Sequence, residues 1–250
     1  MSGTKGASVN LTEGPIGKQI LLFTVPLLLG NVFQQFYNAA DTVIVGKFVG
    51  KEALAAVGSS GALINLLVSL LMGVAVGAGV VVSRYYGAKQ YEEMRATIHT
   101  TIAFGLISGV ALTVVGVAIT PLILRWMQTP ESVMDSSVLY FRIYFAGVLT
   151  TVMYNIGSGI YRALGDSKRP LYFLIVSTIV NVALDLLFVA VMDMGIGGAA
   201  FATVIAQGLS VVLVYWKMIR EDTVYRMDWR AIRIDKRYLR QIIADRKSVV

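Results

Sequence analysis

The 250-residue sequence has no cysteine. Disulfides, thiolate nucleophiles and thiolate-bound metal centres are therefore excluded. Histidine is nearly as scarce, with His99 the single example. There is no Ser-His-Asp arrangement, no phosphate-binding glycine loop and no zinc-ligand spacing, so the sequence offers no set of groups for catalysis and no enzyme is expected. Charge is also thin: 15% of residues are charged and 56% are hydrophobic, with a mean hydropathy of +0.69.

The shortage of charge is local. Ala53 to Ser83 contains no charged residue, and Ala96 to Leu124 contains only His99. Gln19 to Gly46 contains only Asp41, and Ser136 to Tyr161 only Arg142. Leu171 to Met192 contains only Asp185, and Met194 to Trp216 none. Each run reaches or exceeds the roughly 20 apolar residues that a helix needs to cross a bilayer. The first run is too long for a signal-peptide core and lacks a small-residue cleavage site, so it reads as a span.

These runs predict an all-α polytopic membrane protein with six transmembrane helices. Helix 1 runs from about Ile16 to Lys47, helix 2 from Glu52 to Gly87 and helix 3 from Glu92 to Met127. Helix 4 is expected from Pro130 to about Leu164 without interruption, helix 5 from Pro170 to about Asp193, and helix 6 from there to Arg220. The organisation is thus a short segment 1–15, a six-helix lobe over 16–219, and a linker over 220–250. The linker is basic and partly amphipathic, which suits a position beside anionic lipid head groups. Its end, "LRQIIADRKSVV", has the pattern of a further helix beginning.

The net charge of +7 follows topology. With the N-terminus in the cytoplasm, 18 of the 22 Lys and Arg residues fall on the cytoplasmic side. Lys47, Lys51 and Arg125 fall on the other side, and Arg142 lies within a span. This is the positive-inside distribution. It predicts a cytoplasmic (inner) membrane protein with both termini inside, and nucleic acid is not an expected partner.

Polar groups at membrane depth carry the functional signal. A charged side chain at the bilayer centre costs about 2.5–3.5 kcal/mol on insertion scales. Two carboxylates, Asp41 and Asp185, accept that cost. Asn31, Gln34, Asn38 and Asp41 follow at spacings of 3, 4 and 3, one helical face, flanked by Gln35 and Thr42. Asn181 and Asp185 are four apart, with Ser177 and Thr178 a turn earlier, and Thr203 and Gln207 are again four apart. Tyr140, Tyr144, Thr151, Asn155 and Ser158 line one face of the expected helix 4. Four polar faces are hidden by turning them toward one another or a wet cavity. Ordinary interhelical hydrogen bonding is the plain alternative for such stripes. Two carboxylates with nearby amide and hydroxyl oxygens suit Na⁺, which prefers oxygen ligands, and equally suit a proton. The residues leave that choice open.

Other features point to packing. Ser69, Gly73 and Gly77 form one ridge of small residues and Gly105 and Gly109 another, as at close helix contacts. Arg142 is expected to reach outward or pair with a carboxylate. His99 is expected at the membrane interface. Pro26 removes a backbone hydrogen bond and is expected to bend helix 1.

Four ordered stretches resemble one family. They are "PLLLGNVFQQFYNAADTVIVGKFVG" (Pro26–Gly50), "GAGVVVSRYYGA" (Gly77–Ala88), "YRALGDSKRP" (Tyr161–Pro170) and "NVALDLLFVAVMDMGIGGAAFATVIAQ" (Asn181–Gln207). They are similar to multidrug and toxic compound extrusion (MATE) transporters of the prokaryotic NorM and DinF-like type. The resemblance implies one lobe of a two-lobe, twelve-helix transporter that exports organic cations and other drugs by antiport with Na⁺ or H⁺, with no cofactor beyond that ion. It implies cation coupling at Asp41, Asn181, Asp185 and Thr203, which would be the metal ligands if the ion is Na⁺. It implies cavity-lining roles for Gln34, Tyr140 and Asn155, beside Asn38 and Gln207 on the same polar faces, and a hinge at Pro26. The expected partners are a small organic cation and the lipid bilayer. The sequence resembles the N-terminal half, so truncation before helix 7 is expected, with a second six-helix lobe in trans or a homodimer as the alternative. A lipid-linked saccharide flippase and a non-transporting fragment are the competing functions. A flippase needs cations to hold phosphates, and only Arg142 lies at depth.

Overall fold

The computed structural model describes residues 15–49, 73 and 75–249. Among them there is no strand. Helix α1 covers Ile16–Phe48, α2 includes residues 75–87, and α3 covers Tyr91–Trp126. Helices α4 and α5 cover Glu131–Ala146 and Val148–Ala163. Helix α6 covers Lys168–Asp185 and runs on into a π-helical turn, Leu186–Val191. Helix α7 covers Gly195–Arg220 and α8 covers Lys236–Val249. Most of the expected helix 2, with Ser69, lies outside the described residues.

Four stretches are long and apolar enough to cross a bilayer: Gly17–Phe48, Tyr91–Trp126, Lys168–Val191 and Gly195–Arg220. The pair α4 and α5, bent by 40°, makes a fifth among the described residues. That bend corrects the expectation of a continuous helix 4. The break falls at Gly147, whose missing Cβ is filled by Val204 of α7. A side chain there would collide with α7, so only glycine permits the approach, and glycine is also the weaker helix former. The Thr150 hydroxyl donates to the Gly147 carbonyl at 2.6 Å and so competes for the helix's own acceptor.

Two packing groups build the lobe. Helix α3 lies against α4 and α5, and α6 lies against α1 and α7. Gly105 and Gly109 of α3 give way to Ile156 and Leu149 of α5, so this ridge is a close helix contact as expected. Fully buried Ile98, Ile102, Phe141, Phe145 and Tyr161 fill the space between the helices. Exposed Ile107, Val114 and Ile179 face outward, where lipid replaces protein. Helix α1 is packed unevenly: its buried residues, Tyr37, Ile44 and Val45, all lie beyond Pro26.

The linker folds back onto the lobe. The Met227 amide donates to the Met218 carbonyl at 3.1 Å, and Arg95 Nε donates to the Val224 carbonyl at 2.8 Å. In α8, Tyr238 meets Tyr85 edge-on, and the Tyr85 hydroxyl donates to Gln241 at 2.9 Å. The helix begun by "LRQIIADRKSVV" is therefore present as part of α8. His99 is buried, and its Nε2 accepts from the Asp228 amide at 3.2 Å, so it holds the linker.

Arg169 is the rivet of this end. Its Nε lies 3.2 Å from Asp166 and its Nη2 lies 2.7 Å from Glu221. Its Nη1 donates to the Tyr225 hydroxyl at 2.6 Å, and the guanidinium covers the Tyr161 ring at 5.5 Å. Burial pushes the Asp166 carboxyl above the usual range, and Arg169 works against that shift. One fork thus joins the α5–α6 turn to the linker with planar geometry that lysine lacks. Removing one partner of a buried pair strands the others, at a cost of about 3–5 kcal/mol. Arg169→Ala is therefore expected to lower the thermal unfolding temperature in detergent sharply. Arg226→Ala, which loses only an exposed pair with Asp222 at 3.8 Å, is expected to change stability by less than about 0.5 kcal/mol. Equal effects of the two substitutions would contradict the riveting role.

Candidate functional site

Helix α6 delivers Asn181 and Asp185 to one face, and both are fully buried. All four of their side-chain polar atoms lack a hydrogen-bond partner among the described residues. The π-helical turn begins at the next residue, Leu186. Such turns are rare in helices and recur at functional sites. Here the turn is closed by the Met192 amide donating to the Leu187 carbonyl at 2.9 Å, and Phe188 packs against Gly198 of α7. The expected helix 5 is thus an α-helix up to Asp185 and a wider turn beyond it.

Three more helices complete the site. Helix α1 contributes Tyr37 and Asp41, four residues apart on one face. Helix α4 contributes Tyr140 and Tyr144, stacked at 6.2 Å. Helix α7 contributes Thr203, beside the Tyr37 hydroxyl, and Gln207. Asp41 lies within electrostatic reach of Asp185, Tyr37 and Tyr140. Asp41 Oδ1 and Gln207 Oε1 are buried and also lack a partner among the described residues. No Lys, Arg or His pairs with either carboxylate among the described residues.

Two carboxylates in an apolar bundle without a compensating cation are expensive. A bound cation or a proton removes the cost. The donors that face this point are all oxygens from carboxylate, amide and hydroxyl groups, which fit a hard cation. No group of three or more His, Cys, Asp or Glu residues suited to a metal occurs among the described residues. The donor set therefore fits Na⁺ or H⁺ and offers nothing to a soft metal.

The polar stripe of helix 1 serves two places. Asn31 and Gln34 line a separate cavity of about 360 Å³ between α1, α5 and α6, with Pro26, Asn155 and Arg162. Gln34 and Asn155 are thus brought together, at a distance along α1 from Asp41. The single polar face expected on helix 4 is divided by the Gly147 break: Tyr140 lies within electrostatic reach of the carboxylates with Tyr144 stacked on it, and Asn155 reaches this cavity. Asn38 is exposed and its amide only approaches Gln35, at 3.5 Å. Ser177 donates to the Ala206 carbonyl at 2.8 Å and is interhelical glue. Arg142 is exposed and pairs with no carboxylate, which corrects that half of its expectation and leaves the outward reach.

Three site residues escaped sequence reasoning. Tyr37 sits one helical turn before Asp41, a spacing that was there to be read. Tyr144 was noted as polar without being placed in the site. Arg162, at the cytoplasmic end of the expected helix 4, closes α5 and also lines the smaller cavity.

The lobe thus combines helices long and apolar enough to cross a bilayer, a buried carboxylate pair with no cationic partner among the described residues, and a polar cavity. Comparison with known proteins sharpens this. The MatE family profile matches residues 26–187, and the chain belongs to that family. The chain is 36% identical over 231 residues to a probable multidrug resistance protein, YoeA, of Bacillus subtilis, covering 90% of this chain and 50% of that one. It superposes on the crystal structure of MATE in the bent conformation with a TM-score of 0.87 at 27% identity, covering 97% of this chain and 54% of that one. The straight conformation of MATE gives 0.86 at 26% identity, with coverages of 98% and 55%. The chain spans about half the length of the curated relatives it matches.

A site held for function is a burden on the empty fold. Asp185→Asn is expected to raise the unfolding temperature of the chain in Na⁺-free detergent, by the equivalent of about 1–2 kcal/mol. Differential scanning fluorimetry reads the change. A fall instead would show that Asp185 is structural.

Proposed function

We propose that this chain forms the first lobe of a secondary antiporter that exports an organic cation in exchange for Na⁺ or H⁺. The observation that carries the reading is the buried pair Asp41 and Asp185, which has no cationic partner among the described residues. Asp41 and Asp185 hold the coupling ion, with the Asn181 amide oxygen and the Thr203 hydroxyl as further ligands if it is Na⁺. The stacked Tyr140 and Tyr144 rings, next to the carboxylates, offer a face to a cationic drug. Drug and ion compete for one negative centre. Exchange follows when each favours a different orientation of the protein. Pro26, inside α1 and on the wall of the smaller cavity, is the point at which α1 changes shape between the two.

The second lobe comes from a further six-helix segment or from a second copy. Likeness to proteins of about twice this length supports the first. The linker and both termini face the cytoplasm, as the distribution of Lys and Arg requires.

The test is efflux of a fluorescent organic cation from proteoliposomes carrying the full two-lobe protein, driven in turn by a Na⁺ and a pH gradient. Asp41→Asn and Asp185→Asn are each expected to reduce coupled efflux at least tenfold, the scale of about 1.4 kcal/mol in coupling. The gradient that drives wild-type efflux identifies the ion. Wild-type efflux in both variants would overturn the assignment.

A further inference from the structure

A second cavity, of about 450 Å³, lies between the first turns of α3 and the linker. It does not belong to the carboxylate site. Its walls carry Arg95, Arg226, Arg230 and Arg233 against Glu92, Asp228 and Asp235. Four guanidiniums against three carboxylates leave the lining net positive, and two of those carboxylates are turned to backbone amides rather than to guanidiniums. Glu92 lies 3.7 Å from Arg95. Asp228 Oδ1 accepts the Arg230 amide at 2.9 Å, and Asp235 Oδ1 accepts the Arg237 amide at 2.8 Å. Arg226 has only its distant, exposed contact with Asp222. Arg230 and Arg233 have no acidic partner among the described residues. Two unpaired guanidiniums therefore stand at the cavity, over a floor fixed by His99 and Thr100.

Their neighbours point to a membrane. Trp229 is 57% exposed and Ile234 is 39% exposed, flanking the two arginines in the chain. Exposed tryptophan next to arginine is the composition of the bilayer interface, where the indole sits at headgroup level and the cation meets phosphate. A soluble anion would give no reason for the two apolar side chains. Guanidinium forks match a phosphate's paired oxygens.

We propose that this cavity binds the phosphodiester headgroup of an anionic phospholipid, with Arg230 and Arg233 on the phosphate and Trp229 and Ile234 in the interfacial layer. The site needs the linker to face anionic lipid, and so rests on the cytoplasmic topology proposed above. It is independent of the coupling ion and of the drug. A lipid bound here joins the linker to α3 and holds it flat against the leaflet.

The test uses the purified 250-residue chain in nanodiscs of phosphatidylcholine with or without phosphatidylglycerol. Native mass spectrometry reads the retained lipid, and brominated phosphatidylglycerol reads quenching at Trp229 by difference from Trp229→Phe. The wild type is expected to retain phosphatidylglycerol over phosphatidylcholine. Arg230→Gln with Arg233→Gln is expected to lower that retention roughly thirtyfold, given about 1 kcal/mol for each basic residue at a surface. Arg230→Lys with Arg233→Lys should keep most of it, with unchanged helix content by circular dichroism in both. Equal retention by the wild type and the glutamine variant would overturn the proposal, as would equal retention of the two lipids. Displacement of the lipid by millimolar inorganic phosphate would assign the site to a soluble anion and overturn the lipid assignment.

Discussion

A charge inside an apolar bundle must be neutralised close by, and the lobe meets this constraint in two opposite ways. At the linker end, Arg169 is wrapped by Asp166, Glu221 and the Tyr225 hydroxyl, and the charges are settled within the fold. At the α6–α7 face, Asp41 and Asp185 are left for something else to settle. The first arrangement is rigid because it needs nothing from outside. The second answers to whatever cation is present.

Much of the architecture is written in the spacing of charges. Runs without charge mark the spans, and helices α1, α3 and α7 cover those runs and extend past them by up to about a turn at their charged ends. Asp41 and Asp185 were legible because a lone carboxylate in such a run has no cheap explanation. Their companions Asn181, Thr203 and Gln207 followed from four-residue spacing. The expectation for Asn38 did not hold in the same way: periodicity assigns a face, but only the neighbours decide whether that face is covered.

What stayed hidden depends on distant parts of the chain. The break at Gly147 exists because Val204, a whole helix later, occupies the space of its side chain. Hydropathy averages over such a point. The π-helical turn after Asp185 is spelled by Leu, Phe, Val and Ala, residues that an α-helix would take equally well, so no residue announces it. The docking of the linker is similar. Its basic composition suggests a tail facing lipid, while the contacts that dock it are made by Arg95 of α3 on the Val224 carbonyl, by the Met227 amide on the Met218 carbonyl of α7, and by Arg169 of α6 on Glu221 and Tyr225.

Helix α1 has the mechanics of a cantilever. Tyr37, Ile44 and Val45 clamp the end that carries Asp41, while the portion ahead of them has no fully buried residue to hold it. A small rearrangement at the clamp is multiplied along the beam. With about 1.5 Å of length per residue, the stretch from Asp41 back to Pro26 is a lever of about 22 Å. A tilt of a few degrees at the carboxylates therefore becomes a displacement of an ångström or more at the proline, enough to alter the wall of the smaller cavity without repacking the rest of the lobe.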